Sequence, residues 1–320
     1  MRGAARTLIL ISLLAGVAGT VEPQFPQPSE AQDVPYRISV NVHLVLLNVT
    51  VRDSKGRFAP GLAESNFQVY EDGVLQSIRL FRHEDIPVTV GLVIDHSASM
   101  KPKLADVVAA ARTFVAGSRP ADEMFVVNFN EKASAGLPDS LPFTNRPEDL
   151  ANAIGNAPTL GMTALYDAVF EARTRLRAGT REKKVLIVIS DGGDNASRRT
   201  LGEVLQAVRE STTLVYTVGI YDVSDPDRNL GVLRSLASAT GGDAFFPGET
   251  KDVVEICEGI ARDIRNQYVI GYVSNAPPQA GVYRAIRVAA RTEGGRALQV
   301  RARTGYITAG EPRHAKAGGR

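Results

Sequence analysis

The chain has 320 residues, 44% of them hydrophobic, which is enough to bury a large core in one or two domains. Its 37 basic and 35 acidic residues nearly balance, so charge indicates neither a nucleic-acid partner nor a broad anionic membrane surface. The single cysteine, Cys257, excludes an internal disulfide and a zinc site built on paired cysteines, and its hydrophobic helical surroundings predict a buried side chain.

Residues 1–19 have the order of residues that is typical of a secretory signal. Arg2 and Arg6 precede an apolar run, 8–17, which is followed by small residues and is too short to span a bilayer comfortably. An uncleaved membrane anchor is the alternative. Removal of the segment takes two of the 37 basic residues and none of the 35 acidic ones, which leaves a neutral chain. We therefore expect an exported protein, periplasmic, cell-surface or secreted, without an integral span after removal of the signal.

A Pro/Gln-rich linker, 20–35, leads into an N-terminal β segment, 36–86. Apolar residues alternate from Ile38 to Leu46 and then, in the opposite phase, from Leu47 to Val51, which predicts half-buried strands with a bulge or bend between them. Two further short strands are expected near 67–69 and 78–80, because turn residues separate these apolar pairs.

Residues 87–266 have a different pattern, in which uninterrupted apolar strands alternate with helices. Strands are predicted at 88–94, 124–129, 185–189, 214–219 and 244–246, and helices at 103–116, 164–176, 201–210, 230–239 and 253–265. Strands without alternation are buried on both faces, so the fold class is α/β, with a Rossmann-like, doubly wound, mostly parallel sheet between helices. Prolines around 141–143 favour an edge strand there.

A C-terminal β segment, 267–308, follows this α/β region. Neither β segment has enough strands to bury a face alone, but together they supply six or seven. We expect them to pack into one small β-sandwich, with the α/β domain inserted between its halves. Residues 309–320 form a basic tail that is predicted to be disordered.

Five oxygen-bearing residues are predicted to meet at one edge of the parallel sheet. Asp95, Ser97 and Ser99 directly follow the buried strand 88–94, Thr163 lies at a helix start, and Asp191 follows the strand 185–189. Because the carboxyl ends of parallel strands form one crevice, residues far apart in sequence can converge there. The spacing therefore predicts a metal site.

The chemistry of these donors indicates which metal. All five are hard oxygen ligands, which favours Mg²⁺, or else Mn²⁺ or Ca²⁺, over zinc or copper. Hydroxyls are neutral, so an ion held by Ser97, Ser99 and Thr163 keeps much of its charge and would recruit a carboxylate from outside. The structural alternatives are that the hydroxyls cap helices and that Asp191 is an ordinary turn residue.

These motifs also carry a resemblance to a known family. Asp95-x-Ser97-x-Ser99, Thr163 before Leu-Tyr-Asp-Ala, and Ser190-Asp191-Gly192 resemble the metal-ion-dependent adhesion site of the von Willebrand factor type A family. The resemblance covers about residues 88–266. It implies a six-stranded sheet with one antiparallel edge, Ser97, Ser99 and Thr163 as direct ligands, and Asp95 and Asp191 bound directly or through water.

Some neighbouring residues depart from the family or extend the resemblance. His96 stands where small or hydroxyl residues are more usual, and we expect it at the rim of the site or simply exposed. Asp194 is expected to be a solvated loop acid, with added negative charge beside the ion as the alternative. The segments 44–49 and 67–73 resemble the secreted bacterial branch of the family.

Three functions from different classes remain open. The first is an exported adhesion module, not an enzyme, that binds an Asp or Glu of a partner protein through the cation. The second is a scaffold of the cell envelope that makes its contacts through the sandwich. The third is a metal-dependent hydrolase, for which His96 is the sole nearby candidate base, and the sequence holds neither a G-x-S-x-G elbow nor a phosphate-binding Gly-Lys-Ser/Thr loop. Oligomeric state is left open.

Overall fold

The computed structural model describes residues 44–83, 85–221, 228–277 and 279–308. The predicted signal segment, the linker, the C-terminal tail and the alternation over 38–42 lie outside the described residues. Within those residues, no helix is both long and apolar enough to cross a bilayer.

Fourteen strands and six α-helices are found in the part of the chain that the structure describes. The strands are β1 (Leu44–Arg52), β2 (Phe67–Glu71), β3 (Val74–Gln76), β4 (Ile78–Arg82), β5 (Val88–Asp95), β6 (Glu123–Phe129), β7 (Ala133–Ala135), β8 (Lys183–Ser190), β9 (Leu214–Gly219), β10 (Ala244–Phe245), β11 (Tyr268–Val273), β12 (Tyr283–Ala290), β13 (Gln299–Arg301) and β14 (Gly305–Ile307). The helices are α1 (Leu104–Ala116), α2 (Pro147–Gly155), α3 (Leu165–Leu176), α4 (Leu201–Arg209), α5 (Leu230–Thr240) and α6 (Val253–Arg265).

The central sheet has six strands in the order β10-β9-β8-β5-β6-β7. Five of them run parallel, and β7 pairs antiparallel with β6 at one edge. All eight residues of β5 are buried, as expected for a strand covered on both faces. The helices pack in two groups, α1 with α2 and α6, and α3 with α4 and α5. The predicted α/β fold with a six-stranded, mostly parallel sheet is confirmed.

The edge of this sheet differs from the prediction. The prediction of an edge strand at 141–143 is wrong. The edge strand is β7, which follows β6 in the chain and pairs antiparallel with it. Pro142 has no N–H to donate, and Thr144 beyond it forms an isolated bridge with Met124. Helix α2 was not predicted, although Pro147 in its first turn, with Glu148 and Asp149 behind it, is a typical start signal.

Two four-stranded sheets combine strands from before and after the α/β region. Their orders are β13-β1-β11-β4 and β14-β12-β2-β3. Leu47, Val49, Phe67, Val69 and Ile270 belong to the hydrophobic cluster that they share. The division of the chain at residues 36, 87, 267 and 309 into separate domains remains a prediction.

Strand β1 lacks the bulge that the phase change predicted. It pairs antiparallel with β11 over residues 44–49 and with β13 over residues 50–52, without a register shift. Residues 45, 47, 49 and 51 are its buried alternating set. The irregularity lies instead between β11 and β4, where the register shifts between Gly271 and Tyr272.

Polar contacts join the sheet β13-β1-β11-β4, and the turn that follows β13, to helix α6 and to the turn before β9. Asp263 near the end of α6 accepts hydrogen bonds from Arg52 at 2.6 Å and from Arg301 at 2.7 Å. Arg303 donates to the carbonyl of Ser211 at 3.0 Å, just before β9 begins. These contacts lie at the end of the sheet opposite to the predicted metal site.

Candidate metal centre

Asp95 ends the central strand β5 and is completely buried. Its Oδ1 accepts a hydrogen bond from the backbone N–H of Ser97 at 2.8 Å, and its Oδ2 accepts one from Ser190 Oγ at 2.6 Å. Ser190 ends the neighbouring strand β8, so the carboxylate is fixed by both strands. Sequence reasoning did not assign a role to Ser190, although it directly precedes Asp191.

A chain of side-chain oxygens runs from the first loop to Asp191. Ser97 Oγ lies 3.1 Å from Ser99 Oγ, and Ser99 Oγ donates to Asp191 Oδ2 at 2.7 Å. Asp95, Ser97 and Asp191 are buried, whereas Ser99 is half-buried. The structure thus brings four of the five predicted residues into one hydrogen-bonded group.

Thr163 is buried in the loop that faces this group. Its backbone N–H donates to Asn195 Oδ1 at 2.8 Å, and its carbonyl accepts from the N–H of Asn195 at 3.0 Å. The carbonyl of Gly161 accepts from the N–H of Ala98 at 3.4 Å, which joins the Thr163 loop to the serine loop. These backbone contacts hold the Thr163 loop against Asn195 and the serine loop, and the Thr163 hydroxyl forms no hydrogen bond with the described residues. Asn195 is a second positioning residue that sequence reasoning missed.

The helix-capping alternative for the hydroxyls is contradicted by the structure. Ser97 occupies the N-cap position of a short 3₁₀ helix, but its side chain makes no capping hydrogen bond. The N-cap of α3 is Ala164, so Thr163 does not cap that helix either. The alternative that Asp191 is an ordinary turn residue is correct for one of its two carboxylate oxygens, because Oδ1 accepts a hydrogen bond from the N–H of Gly193 at 3.0 Å. The hydroxyls therefore retain lone pairs for another ligand.

The group concentrates negative charge without a cationic neighbour. Burial, reinforced by the negative charge of Asp191, raises the pKa of Asp95 to about 6 although hydrogen bonds oppose the shift. Among the ion pairs of the described residues, none includes Asp95 or Asp191. The same part of the chain holds no cluster of three or more His, Cys, Asp or Glu residues suited to a metal. Two carboxylates with three hydroxyls, all hard donors, fit a Mg²⁺-like cation.

Gly192 allows the Asp191 loop to approach the start of α5. Its φ is +86°, and a Cβ atom there would lie 2.4 Å from the carbonyl oxygen of Asn229. Both the positive φ and this backbone contact require glycine. The N–H of Asn229 in turn donates to the carbonyl of Asp191 at 3.2 Å, so the glycine fixes the position of the carboxylate.

The structure places His96 and Asp194 differently from the expectations. His96 is buried and neither lines the rim nor faces solvent: its Nε2 lies 3.1 Å from Asn128 Oδ1, and its Nδ1 lies 3.4 Å from Thr159 Oγ1. Burial lowers its pKa. Asp194 is not a free loop acid, because its Oδ2 accepts from the N–H of Tyr166 at 2.9 Å and from Ser197 Oγ at 2.6 Å, which satisfies the first turn of α3.

Residues 90–193 match a family model described as the von Willebrand factor type A domain, and the matched range includes all five predicted ligand positions. The chain contains a von Willebrand factor type A domain. The six-stranded sheet with helices on its faces is the fold that the resemblance implied. No curated protein matches the chain.

Several solved structures are similar to this chain. One is a von Willebrand factor type A protein from Catenulispora acidiphila, 14% identical, with a TM-score of 0.49, covering 85% of this chain and 75% of that chain. Another is the vWF domain of the type V pili tip protein Mfa5 from Porphyromonas gingivalis, 16% identical, with a TM-score of 0.48, covering 56% and 95%. A third is proximal thread matrix protein 1 from the mussel byssus with a zinc-occupied MIDAS motif, 16% identical, with a TM-score of 0.49, covering 61% and 49%.

Proposed function

We propose that the von Willebrand factor A domain binds a partner protein through a divalent cation held by Asp95, Ser97, Ser99, Thr163 and Asp191. An acidic side chain of the partner completes the coordination. The observation that carries this proposal is the hydrogen-bonded chain from Ser97 through Ser99 to Asp191, in which the hydroxyls cap no helix and the carboxylates form no ion pair with described residues.

The donor set suits capture of an anion from outside. Three neutral hydroxyls and two carboxylates leave a bound Mg²⁺, Mn²⁺ or Ca²⁺ with unneutralised positive charge, and the ion would supply Lewis acidity toward a carboxylate. Hydrogen bonds from Ser190 and from the backbone N–H of Ser97 fix the orientation of the Asp95 carboxylate, so this part of the metal site is preformed. A preformed site loses little conformational entropy on binding.

The rim of the site adds an apolar contact surface. Leu160 and Met162 flank Gly161 beside Thr163, and they are 56% and 49% exposed. Exposed apolar side chains close to a polar anchor are typical of protein contact surfaces. The partner that fits best therefore presents its Asp or Glu next to apolar residues.

The proposed setting is outside the cytoplasm. The order of residues in 1–19 supports export, and a domain that captures acidic partners is suited to the periplasm, the cell surface or the external medium. The envelope-scaffold alternative would use the eight strands of the two flanking sheets instead of the cation.

Catalysis is disfavoured by the surroundings of His96. A hydrolytic metal needs a general base within reach of its bound water. The ring nitrogens of His96 lie against Asn128 and Thr159, and the ring is buried, so the one base that the sequence offers already has partners within the protein. We therefore propose a binding module and not an enzyme.

Calorimetric titration of the full chain with Mg²⁺, Mn²⁺ and Ca²⁺, after dialysis against EDTA, tests the cation. The parent should bind and melt at a higher temperature with metal, because a ligand that binds the folded state stabilises it. Ser99→Ala and Asp191→Ala should lose most of this response. Asp139→Ala, which removes an exposed acid away from the site, is the control. A Ser99→Ala and Asp191→Ala pair that responds like the parent contradicts the proposal.

Capture of proteins from an envelope extract, with and without EDTA, tests the partner. Capture by the parent should require metal and be lost in Ser97→Ala/Ser99→Ala. If that double variant captures the same proteins, the scaffold alternative is correct. Leu160→Ser/Met162→Ser should keep the metal response yet weaken capture, whereas Val74→Ser/Leu75→Ser, at 58% and 54% exposed positions on β3, should change neither.

A further inference from the structure

A cavity of about 790 Å³ opens at the amino end of the central sheet, far from the metal centre in the fold. It lies between the ends of α3 and α4 and the turns beside β12 and β14. Its wall is formed by Arg173, Leu176, Arg177, Lys184, Glu210, Ser211, Thr212, Thr213, Gly281 and Thr308. Cavities of this size are typical of small-molecule sites.

The charge on the cavity wall is mainly positive. Arg173, Arg177 and Lys184 line it, and Glu210 is the one acid among the lining residues. Arg173 and Arg177 lie four residues apart at the end of α3, so their side chains share one face of the helix, where like charges destabilise each other. Nothing in the fold requires this arrangement of two arginines.

Neither arginine forms an ion pair or donates a hydrogen bond within the described part of the protein, although the charge of Glu210 acts on Arg173. The Nε of Arg173 is shielded from solvent without an acceptor, whereas the side chain of Arg177 is exposed. Nearby Arg175 and Arg181 have acidic partners, Glu171 at 2.9 Å and Glu123 at 3.6 Å, although their Nε atoms, like that of Arg173, are buried without a hydrogen bond. What distinguishes Arg173 and Arg177 is that two guanidinium groups without an ion pair line one cavity, which suits an oxyanion from outside the chain.

The remaining polar groups on the wall fit the same interpretation. Burial, reinforced by the charge of Arg177 and opposed by that of Glu210, lowers the pKa of Arg173. Lys184 already has a hydrogen-bond partner, because its Nζ donates to the carbonyl of Gly179 at 2.7 Å. It therefore contributes charge, and the arginines supply the free donors. Planar guanidinium groups bind tetrahedral and planar oxyanions through paired hydrogen bonds.

We propose that this cavity binds a phosphate group, carried by a small phosphate monoester or by a lipid headgroup, between Arg173 and Arg177. A dianion neutralises the two arginines and relieves their repulsion. It also accepts a hydrogen bond from the Nε of Arg173. The volume leaves space for the organic part of the ester, which would lie against Leu176 and the threonine side of the wall. This site is independent of the metal centre, and its test is done in EDTA.

The experiment measures melting temperature and calorimetric binding of the full chain with inorganic phosphate and with glycerol phosphate, at constant ionic strength set with chloride. The parent should bind both ligands, and Arg173→Gln/Arg177→Gln should weaken the affinity by about tenfold or more, because it removes charged hydrogen-bond donors. Arg79→Gln/Arg296→Gln changes the charge equally at two exposed arginines outside the cavity and should bind like the parent.

A second measurement guards against loss of folding in the variant. In phosphate-free buffer of low ionic strength, the Arg177→Gln protein should melt no lower than the parent, because it removes a like-charge contact. Vesicles of phosphatidylcholine with and without phosphatidic acid distinguish the sources. Binding to the acidic vesicles that the double variant loses assigns the lipid headgroup, and binding of the free ester alone assigns a soluble ligand. No response of the parent to any of these probes, or an equal response of the double variant, overturns the proposal.

Discussion

The two ends of the central sheet differ in how their buried charges are paired. At the amino end, Asp263 contacts both Arg52 and Arg301, and the side chain of Asp122 pairs with Arg265 at 2.8 Å. At the carboxyl end, the buried carboxylates of Asp95 and Asp191 form no ion pair with described residues and are held by hydroxyl and backbone donors instead.

Paired buried charges stabilise the fold, whereas unpaired buried carboxylates are suited to binding a cation. Removing a charge from water is costly unless a partner of opposite sign replaces the solvent. For Asp122 and Asp263 at the amino end the protein supplies that partner itself, as Arg265 for the first and as Arg52 and Arg301 for the second. At the carboxyl end the partner is missing from the described chain, which is the arrangement expected where an external cation provides it.

The largest effect is expected from breaking the ion pairs at the amino end. Asp263→Ala should lower the free energy of unfolding by about 3 kcal/mol, because it leaves Arg301 largely buried without one of its acidic partners. Urea unfolding followed by circular dichroism measures this loss. Glu148→Ala, which breaks the exposed pair with Arg112, should cost less than about 1 kcal/mol. Equal losses in the two variants would show that the buried contacts are not what joins the regions.

A smaller effect is expected from a backbone change at the carboxyl end. Gly192→Ala should destabilise the fold by about 2 kcal/mol, because a Cβ there meets the Asn229 carbonyl and the φ of +86° is strained for alanine. It should also weaken Mg²⁺ binding by moving Asp191. Gly56→Ala is the control, since it has a similar φ of +76° but no atom within 4 Å of the added Cβ. If both variants lose the same stability and keep the metal response, the close approach is unimportant.

The smallest effect, counted per pH unit, is the pH dependence of stability. Burial lowers the pKa of Lys183 to about 7 in the folded state, below the usual 10.5 of a lysine side chain. The folded state therefore binds fewer protons than the unfolded state between about pH 7 and 10, so this residue adds stability as the pH rises through that window, by at most about 1.4 kcal/mol per pH unit. Lys183→Met should flatten the slope of unfolding free energy between pH 7 and 9 relative to the parent. Lys55→Met, at an exposed position, should leave the slope unchanged. A slope that is the same in Lys183→Met and the parent contradicts this assignment.

The central sheet was predictable because its signal is local. Buried parallel strands such as β5 are uninterrupted apolar runs, and α6 has its apolar residues at helical spacing, so both could be found from the order of neighbouring residues. Short elements were less predictable. Strand β7 has three small or polar residues without alternation. Residues 141–143 include large apolar side chains that suggested a strand, but the N–H of Leu141 donates to the carbonyl of Pro138 at 2.9 Å instead of to a neighbouring strand.

The candidate site shows the same division. The residues Asp95, Ser97, Ser99 and Asp191 follow strand ends that the sequence marks, so their convergence could be expected from α/β topology alone. The position of His96 could not be predicted in this way. Its neighbours along the chain do not reveal that its ring would form a hydrogen bond with Asn128 on β6. Ser190 and Asn195 were missed for the same reason, since each acts on a residue that is distant in sequence.

The amino-acid sequence by itself determined the α/β class and the long buried strands and helices, and it predicted five oxygen donors, because periodicity and strand-end residues are properties of short segments. Tertiary structure alone decided the partners of the polar groups: Ser190 on Asp95, Asn195 on Thr163 and Asn128 on His96. A hydrogen bond or ion pair depends on which distant side chains share a crevice, and packing fixes that only when the whole sheet and its helices have assembled.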